Sequence, residues 1–408
     1  MLRGKRYTMS GTNFPSLAVR TFPWNLDSLS EPPSTYPADD MTSSGVKAIL
    51  YEGLPFQGKP TRVFAWYGIP KSKAGQKTPA MVLVHGGGGT AYADWVRLWV
   101  SRGYAAIAMD LCGAVPTLDA DISRHHEWAG PPGWGGFDQM DWPQTDQWCY
   151  HAVADILLAN SLIRSMPEVD PERVGITGIS WGGYLTCIAA AIDHRFKFAA
   201  PVYGCGFLLD DTDFTDYVKL LGPVKAEQWM TWWDPGSYLS QVTIPMLWVT
   251  GSNDTNYPLN ALQKSYRLPS GSRTLAVRLR MPHAHGGPGE NPEEIHSFAE
   301  FHLNHGIPLT QIKEQGREGN HAWTDYESTS QVVKAELNFT KDEGVWRNRE
   351  WASIPAEIGS EENQVSALLP EESRVYYFNL TDERGLVVST EHVEVTLPSA
   401  QKLTPTMC

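Results

Sequence analysis

Residues 174–184, VGITGISWGGY, constrain this chain most. Gly178, Ser180 and Gly182 form a G-x-S-x-G pattern. The β-branched residues Val174, Ile176 and Thr177 precede it, and a run of small apolar residues from Leu185 to Ile192 follows. The pattern is common by chance. Strand before and helix after give it meaning, because a sharp strand-to-helix turn presents a serine hydroxyl at the tip of a buried strand. Glycines on either side let backbones approach there. Ser180 is therefore read as a nucleophile, against the plainer reading of a glycine-rich connection with an idle serine.

A serine hydroxyl is a weak nucleophile at neutral pH and needs a base, and the base needs an orienting group. Asp254 follows a buried apolar strand expected over 245–250, in a Gly-Ser-Asn-Asp turn. The carboxyl ends of parallel strands are where such sheets place ligand-facing groups. A carboxylate there can hold an imidazole in one tautomer, although an Asp in such a turn also caps it. Asp110 likewise ends a strand, but it precedes the serine and ranks lower. Two histidines, His283 and His285, follow the last strand. His285 is the expected base: two glycines follow it, and a longer excursion past Pro282 helps return its ring over the sheet. His283 is then a supporting or surface residue. Ser180, Asp254, His285 is the chain order of the α/β-hydrolase triad. The oxyanion needs two donors: the backbone N–H of Trp181, and that of Gly86 or Gly87 in the His85-Gly-Gly-Gly-Gly run. That run could also cradle phosphate, but the P-loop pattern is absent.

Around these residues the chain alternates. A hairpin is expected over 46–51 and 61–69 after an irregular arm, 1–45. Strand 80–84, helix 91–102 stopped by Gly103, and strand 104–109 make a βαβ unit, hence a parallel sheet. A helix over 148–165 puts Val153, Ile156, Leu157 and Ile163 on one face. Two insertions, 115–147 and 206–236, lack periodicity but are rich in aromatics, as pocket-lining loops are. Alternation over 275–281 suggests a strand with one wet face near a sheet edge. After about residue 308, short β-like runs with turns point to a small antiparallel sandwich. The expected architecture is α/β: a mostly parallel sheet flanked by helices over 46–310, and an all-β sandwich over 318–400.

Composition narrows function. The formal charge of −13 opposes nucleic-acid binding, which needs a basic face. Five dispersed cysteines, with no C-x-x-C pair, indicate neither a disulfide framework nor a zinc site. The His125-His126-Glu127 run reads as a solvated loop rather than a metal site, and no metal or cofactor is expected. No apolar run approaches membrane-spanning length. The first residues are basic but lack an apolar core, so a soluble cytoplasmic protein is the expectation, though a secreted chain trimmed of its leader would look the same. Asn338 and Asn379 stand in glycosylation sequons, uninformative without a secretory route. Sixteen tryptophans, many between Trp128 and Trp248, either fill the core or wall a pocket. Trp134, Trp148 and Trp233 are the candidates for touching substrate.

Taken together, residues 46–305 resemble the α/β-hydrolase fold. HGGGG at 85–89, GISWGGY at 178–184 and the D-P-E-R-V lead-in resemble the acetylxylan esterase, dienelactone hydrolase and prolyl-oligopeptidase branch. PPGWGGFDQ, DQWCYHAVAD and PVYGCGF are most similar to bacterial acetylxylan-esterase-type hydrolases, and YYFNLTDERGLVVSTEH resembles the small β-domain attached to some of them. The resemblance implies ester hydrolysis with Ser180, Asp254 and His285 as triad. Dienelactone hydrolases often use Cys where this chain has Ser180, which disfavours that activity. The expected function is a serine esterase with an acyl-enzyme intermediate, acting on short acyl esters of carbohydrates or related small esters. The rivals are a prolyl-oligopeptidase-like serine peptidase and a non-catalytic glycan-binding relative.

Overall fold

Thr78–Val84 is buried at every residue, as a continuous apolar run should be when both sheet faces are covered. In the computed structural model, which describes residues 22–71, 75–116, 123–359 and 363–395, this strand is the middle one of a nine-stranded sheet. Numbered along the chain, the sheet's strands are β1 (Thr35–Pro37), β2 (Lys47–Phe56), β3 (Lys59–Gly68), β4 (Thr78–Val84), β5 (Ala105–Met109), β6 (Val169–Ile179), β7 (Ala199–Val202), β8 (Met246–Gly251) and β9 (Arg273–Arg278). Their spatial order is β1-β2-β3-β5-β4-β6-β7-β8-β9. Strands β4 to β9 pair in parallel; β1, β2 and β3 are antiparallel additions. The chain steps outward from β4 to β5, then returns past β4 to β6. That reversal opens a crevice beyond the carboxyl ends of β4 and β6, where open parallel sheets bind ligands.

Helices cover both faces. Ala93–Ser101 buries Trp95, Val96 and Trp99 on one side. It ends as expected at Gly103, whose φ of +88° suits glycine. The N–H groups of Gly103 and Tyr104 return to Val100 and Trp99, closing the last turn as a Schellman motif. Trp148–Ser165 and Trp181–Ile192 lie on the other face. The first of these is not amphipathic, as the sequence suggested, but buried nearly all round. The reason lies in the N-terminal arm, which is less irregular than expected. Its Leu26–Ser30 helix accepts Ser161 Oγ at the Leu29 carbonyl (2.6 Å), and Trp24 stacks on Tyr150 with ring centres 5.7 Å apart.

Two antiparallel sheets follow, from Gln311 onward. One is built from β10 (Gln311–Glu318), β11 (His321–Glu327), β15 (Gln364–Leu368) and β14 (Glu357–Ile358). The other holds β13 (Ala352–Pro355), β12 (Val332–Thr340), β16 (Val375–Asp382) and β17 (Val387–Ser389), with β18 (Val393–Glu394) also on β16. Ala322 and Val365 of the first sheet pack against Leu337, Phe378 and Leu380 of the second. Strand β10 lies before the expected start of the sandwich at 318, because it carries mostly solvent-facing polar residues. The sandwich also meets the free edge of β9; on the face expected to be wet Ala276 is buried, while Arg278 keeps 38% of its side chain exposed. Val277 donates its N–H to Ser389 Oγ (2.8 Å) and accepts from Asn379 Nδ2 (3.1 Å). Side chains thus satisfy an edge that would otherwise invite another strand. Asn379 and Asn338, the two sequon asparagines, are buried.

Candidate active site

Ser180 sits between β6 and the Trp181–Ile192 helix with φ 57° and ψ −118°, a region costly for a residue with a Cβ. The surroundings hold it there. Its N–H bonds the Val202 carbonyl of β7 (2.9 Å), and its carbonyl accepts from Tyr184 (2.9 Å). The flanking glycines are a steric requirement. A Cβ on Gly178 would stand 2.3 Å from the Gly182 oxygen, and one on Gly182 would stand 2.0 Å from the Val84 oxygen.

The side chain that meets Ser180 is His283, which corrects the expectation of His285. His283 Nε2 lies 2.8 Å from Ser180 Oγ, and its Nδ1 lies 2.8 Å from Asp254 Oδ2. The longer excursion to His285 is not needed to reach Ser180. From β9 to β6 there are three strand spacings, about 14 Å. Five residues separate the end of β9 at Arg278 from His283, and five extended residues span at most about 17 Å. Two further residues carry His285 one strand beyond, to the loop after β4, where its Nε2 accepts Gly86 N–H at 2.9 Å. Asp254 is placed for both of its readings. Oδ1 caps the turn by accepting from Asn256 (2.9 Å) and Tyr257 (2.7 Å), while Oδ2 holds the imidazole. Tyr203, 4.3 Å from the His283 ring, packs on it. Burial raises the Tyr203 phenol well above its ordinary range, so it stays neutral. Asp110 does not join the group: one of its oxygens caps the turn after β5, accepting from Cys112 and Ala114 at 2.8 Å each.

The oxyanion donors also separate. Trp181 is the first residue of its helix, so its N–H has no helical carbonyl to bond. The Gly86 amide is taken by His285, so of the two expected glycines Gly87 is the remaining candidate. Of the three candidate tryptophans, Trp134 is the one placed to touch a ligand. It is 41 % exposed and lies against Gly87, where a Cβ would meet its ring at 2.9 Å. Trp148 and Trp233, expected to touch substrate, are buried and donate their indole N–H groups to Leu111 O (2.7 Å) and Gln147 Oε1 (2.8 Å). Trp181 joins the two insertions: its ring contacts Trp134 and Phe137 from the first, and Phe214 and Trp229 from the second. A cavity of about 570 Å³ lies beside His283, walled by Arg280 and Pro282 and by Arg347, Arg349 and Trp351 of the sandwich. Asn253, next to Asp254, donates to the Arg349 (2.6 Å) and Arg347 (3.2 Å) carbonyls, an involvement of the sandwich that the sequence reading missed.

The remaining candidates are structural. His126 accepts Trp128 N–H at Nδ1 (3.3 Å), and Trp128 stacks on Arg62. No group of three His, Cys, Asp or Glu side chains suited to a metal ion occurs among the described residues. Cys149, Cys187 and Cys205 are free and buried.

Comparison with known proteins points to the same fold. The acetyl xylan esterase (AXE1) family profile matches residues 31–219, and that of the prolyl oligopeptidase family matches 136–306. The two overlap across the Ser180 turn. An acetyl xylan esterase from Paenibacillus sp. R4 superimposes with a TM-score of 0.53 at 21% identity, covering 68% of this chain and 92% of the other. The chain has the α/β-hydrolase fold. Acylaminoacyl peptidase from Pyrococcus horikoshii superimposes with a TM-score of 0.48 at 22% identity, covering 64% of this chain and 42% of that one. The uncharacterized peptidase YuxL of Bacillus subtilis (strain 168) is 23% identical over 216 residues, 50% of this chain but 30% of YuxL. The chain thus spans less than a third of that relative's length. The two family matches support a serine hydrolase, either esterase or peptidase.

Proposed function

We propose that this protein is a serine carboxylic-ester hydrolase acting through an acyl-enzyme on short acyl esters of carbohydrates or similar small alcohols. The observation that carries the reading is the unbroken chain Ser180 Oγ, His283, Asp254, with 2.8 Å at each link. Ser180 attacks the ester carbonyl while His283 Nε2 takes its proton. Asp254 keeps the His283 proton on Nδ1 and stabilises the imidazolium. The N–H groups of Trp181 and Gly87 receive the oxyanion, each worth about 3 kcal/mol in the transition state. His283 then returns the proton to the leaving alcohol, and water repeats the sequence on the acyl-enzyme.

Two features support an ester with a short acyl group. Trp134 and Trp181 crowd Gly87, where a Cβ would meet their rings at 2.9 and 2.7 Å, so little room is left beside the oxyanion donor. The half-exposed face of Trp134 is also a platform for a pyranose ring. The acetyl xylan esterase of the Paenibacillus strain, matched over 92% of its length, is consistent with this. The match to the prolyl oligopeptidase family favours a second reading, a peptidase. Purified protein on p-nitrophenyl acetate, acetylated xylo-oligosaccharides and aminoacyl p-nitroanilides separates the two. The expected result is turnover of the acetyl esters, abolished in a folded Ser180→Ala variant. Cleavage of the anilides alone overturns the esterase reading, and undiminished turnover by the variant overturns the nucleophile.

A further inference from the structure

His285 is left over once His283 holds Ser180, yet it is tied firmly to the loop after β4. Its Nε2 accepts Gly86 N–H at 2.9 Å, which requires a neutral ring with the proton on Nδ1. Nδ1 faces Glu290 Oε1 at 3.3 Å. The Tyr92 ring packs 4.6 Å away and Trp95 meets it edge-on at 6.1 Å. On the other side of the same loop, His85 Nδ1 lies 2.7 Å from the Gly86 carbonyl, which also accepts Gly89 N–H at 3.1 Å. Burial keeps the His85 ring neutral by lowering its pKa.

A trans peptide points its carbonyl and its N–H in opposite directions. Holding the Gly86 carbonyl toward His85 therefore turns the Gly87 N–H, in the same peptide unit, the other way. Holding the Gly86 N–H toward His285 fixes the preceding unit. Two histidines thus lock the two peptides flanking Gly86, in a loop that abuts the nucleophile: a Cβ on Gly86 would stand 3.2 Å from both Ser180 Cβ and His285 Nε2.

We propose that His285 is a positioning residue: its neutral ring holds the Gly86 amide and so aims the Gly87 N–H at the oxyanion, and its protonation releases that amide. This rests on the hydrolase reading above. A protonated Nε2 is a donor, so at 2.9 Å two N–H groups would face each other and the contact must open. The charged or titratable groups facing the ring are Glu290, Tyr92 and, through the loop, His85. Activity then depends on two neutral histidines, His283 and His285, rather than on one.

The test combines His285→Ala and His285→Gln with glycine-selective 15N labelling that follows the Gly86 amide through a pH titration. Expected for His285→Ala is a loss of about 10-fold to 100-fold in kcat with KM little changed, less than the ~100-fold to 1,000-fold cost of deleting an oxyanion donor outright. The Gln side chain offers an acceptor that does not titrate. His285→Gln should recover most of kcat near pH 8 and reduce the slope of the acid limb from two protons to one. The Gly86 amide should titrate with the His285 ring in the wild type and not in His285→Gln. A folded His285→Ala with wild-type kcat, a folded His285→Gln as poor as Ala, or a silent Gly86 amide in the wild type each overturns the proposal. Failure of wild-type Ser180 to react with a fluorophosphonate overturns the hydrolase reading itself, and with it this role, and is recognised by a Gly86 amide that still titrates.

Discussion

Asp254 does two jobs with two oxygens, and one substitution separates them. In Asp254→Asn the retained carbonyl oxygen still accepts from Asn256 and Tyr257, now at 2.9 and 2.7 Å, so the turn survives. The amide NH2 replaces the oxygen that lies 2.8 Å from His283 Nδ1, and a donor there forces Nδ1 to become the acceptor. The His283 proton moves to Nε2, facing Ser180 Oγ, and a protonated Nε2 cannot take the hydroxyl proton. The expected loss in kcat is about 10⁴-fold, roughly 5.5 kcal/mol of transition-state stabilisation. Folding stability should change by only about 1 kcal/mol, the worth of one hydrogen bond exchanged for a weaker one. Asp254→Ala is the contrast: it strips the turn amides of their acceptor at a buried site and should cost a further ~1–3 kcal/mol in stability. The assays are p-nitrophenyl acetate turnover at pH 7.5 and urea unfolding of all three proteins. An Asn variant retaining more than about a tenth of wild-type kcat, or one destabilised as much as the Ala variant, would refute the reasoning.

Three further outcomes are expected. Gly182→Ala forces a Cβ to within 2.0 Å of the Val84 carbonyl, so it should destabilise the fold by more than about 3 kcal/mol, measured by urea unfolding; a loss under ~1 kcal/mol would show that the elbow yields. Trp134→Ala should raise KM for acetylated xylo-oligosaccharides several-fold and leave p-nitrophenyl acetate kinetics nearly unchanged, because only the sugar uses the indole face; equal effects on both substrates would remove the platform. His392 is buried, and its ring pKa is pushed down to about 3, first by burial and then by Arg267 and Arg349. The unfolded ring takes its proton near pH 6.5 and the folded one only near pH 3, so its stabilising share is complete above pH 6.5 and lost as pH falls toward 3. At pH 5 that loss is about 2 kcal/mol, and His392→Phe should lose correspondingly less between pH 7 and pH 5 in urea titrations; equal losses would sink the assignment.

What could be read from the chain and what could not divide along physical lines. Ser180 and Asp254 were legible because each is fixed within a few residues of a strand end: β6 stops at Ile179 and β8 at Gly251, and local sequence marks both stops. The histidine was not, because choosing between His283 and His285 requires the number of strands to be crossed, a property of the spatial order β6-β7-β8-β9 rather than of the order in the chain. With that order, His283 stands three spacings from β9, at Ser180, and His285 one further, at the Gly86 loop. The same holds for the edge of the sheet. Nothing in the alternation of residues 275–281 shows that Ser389 and Asn379, more than a hundred residues later, satisfy the backbone of Val277. Aromatic side chains show the limit most plainly. Trp134, Trp148 and Trp233 all lie in or beside loops rich in aromatics, but an indole N–H within reach of a buried acceptor belongs to the core, and two of the three have one. Trp134 differs by its neighbour: Gly87 has no side chain, so the indole can lie flat against the oxyanion loop and keep one face in solvent. On the proposed mechanism the glycine run serves two ends at once, since the missing Cβ that would free an amide for the oxyanion also makes the place where the only outward-facing tryptophan of the three can stand.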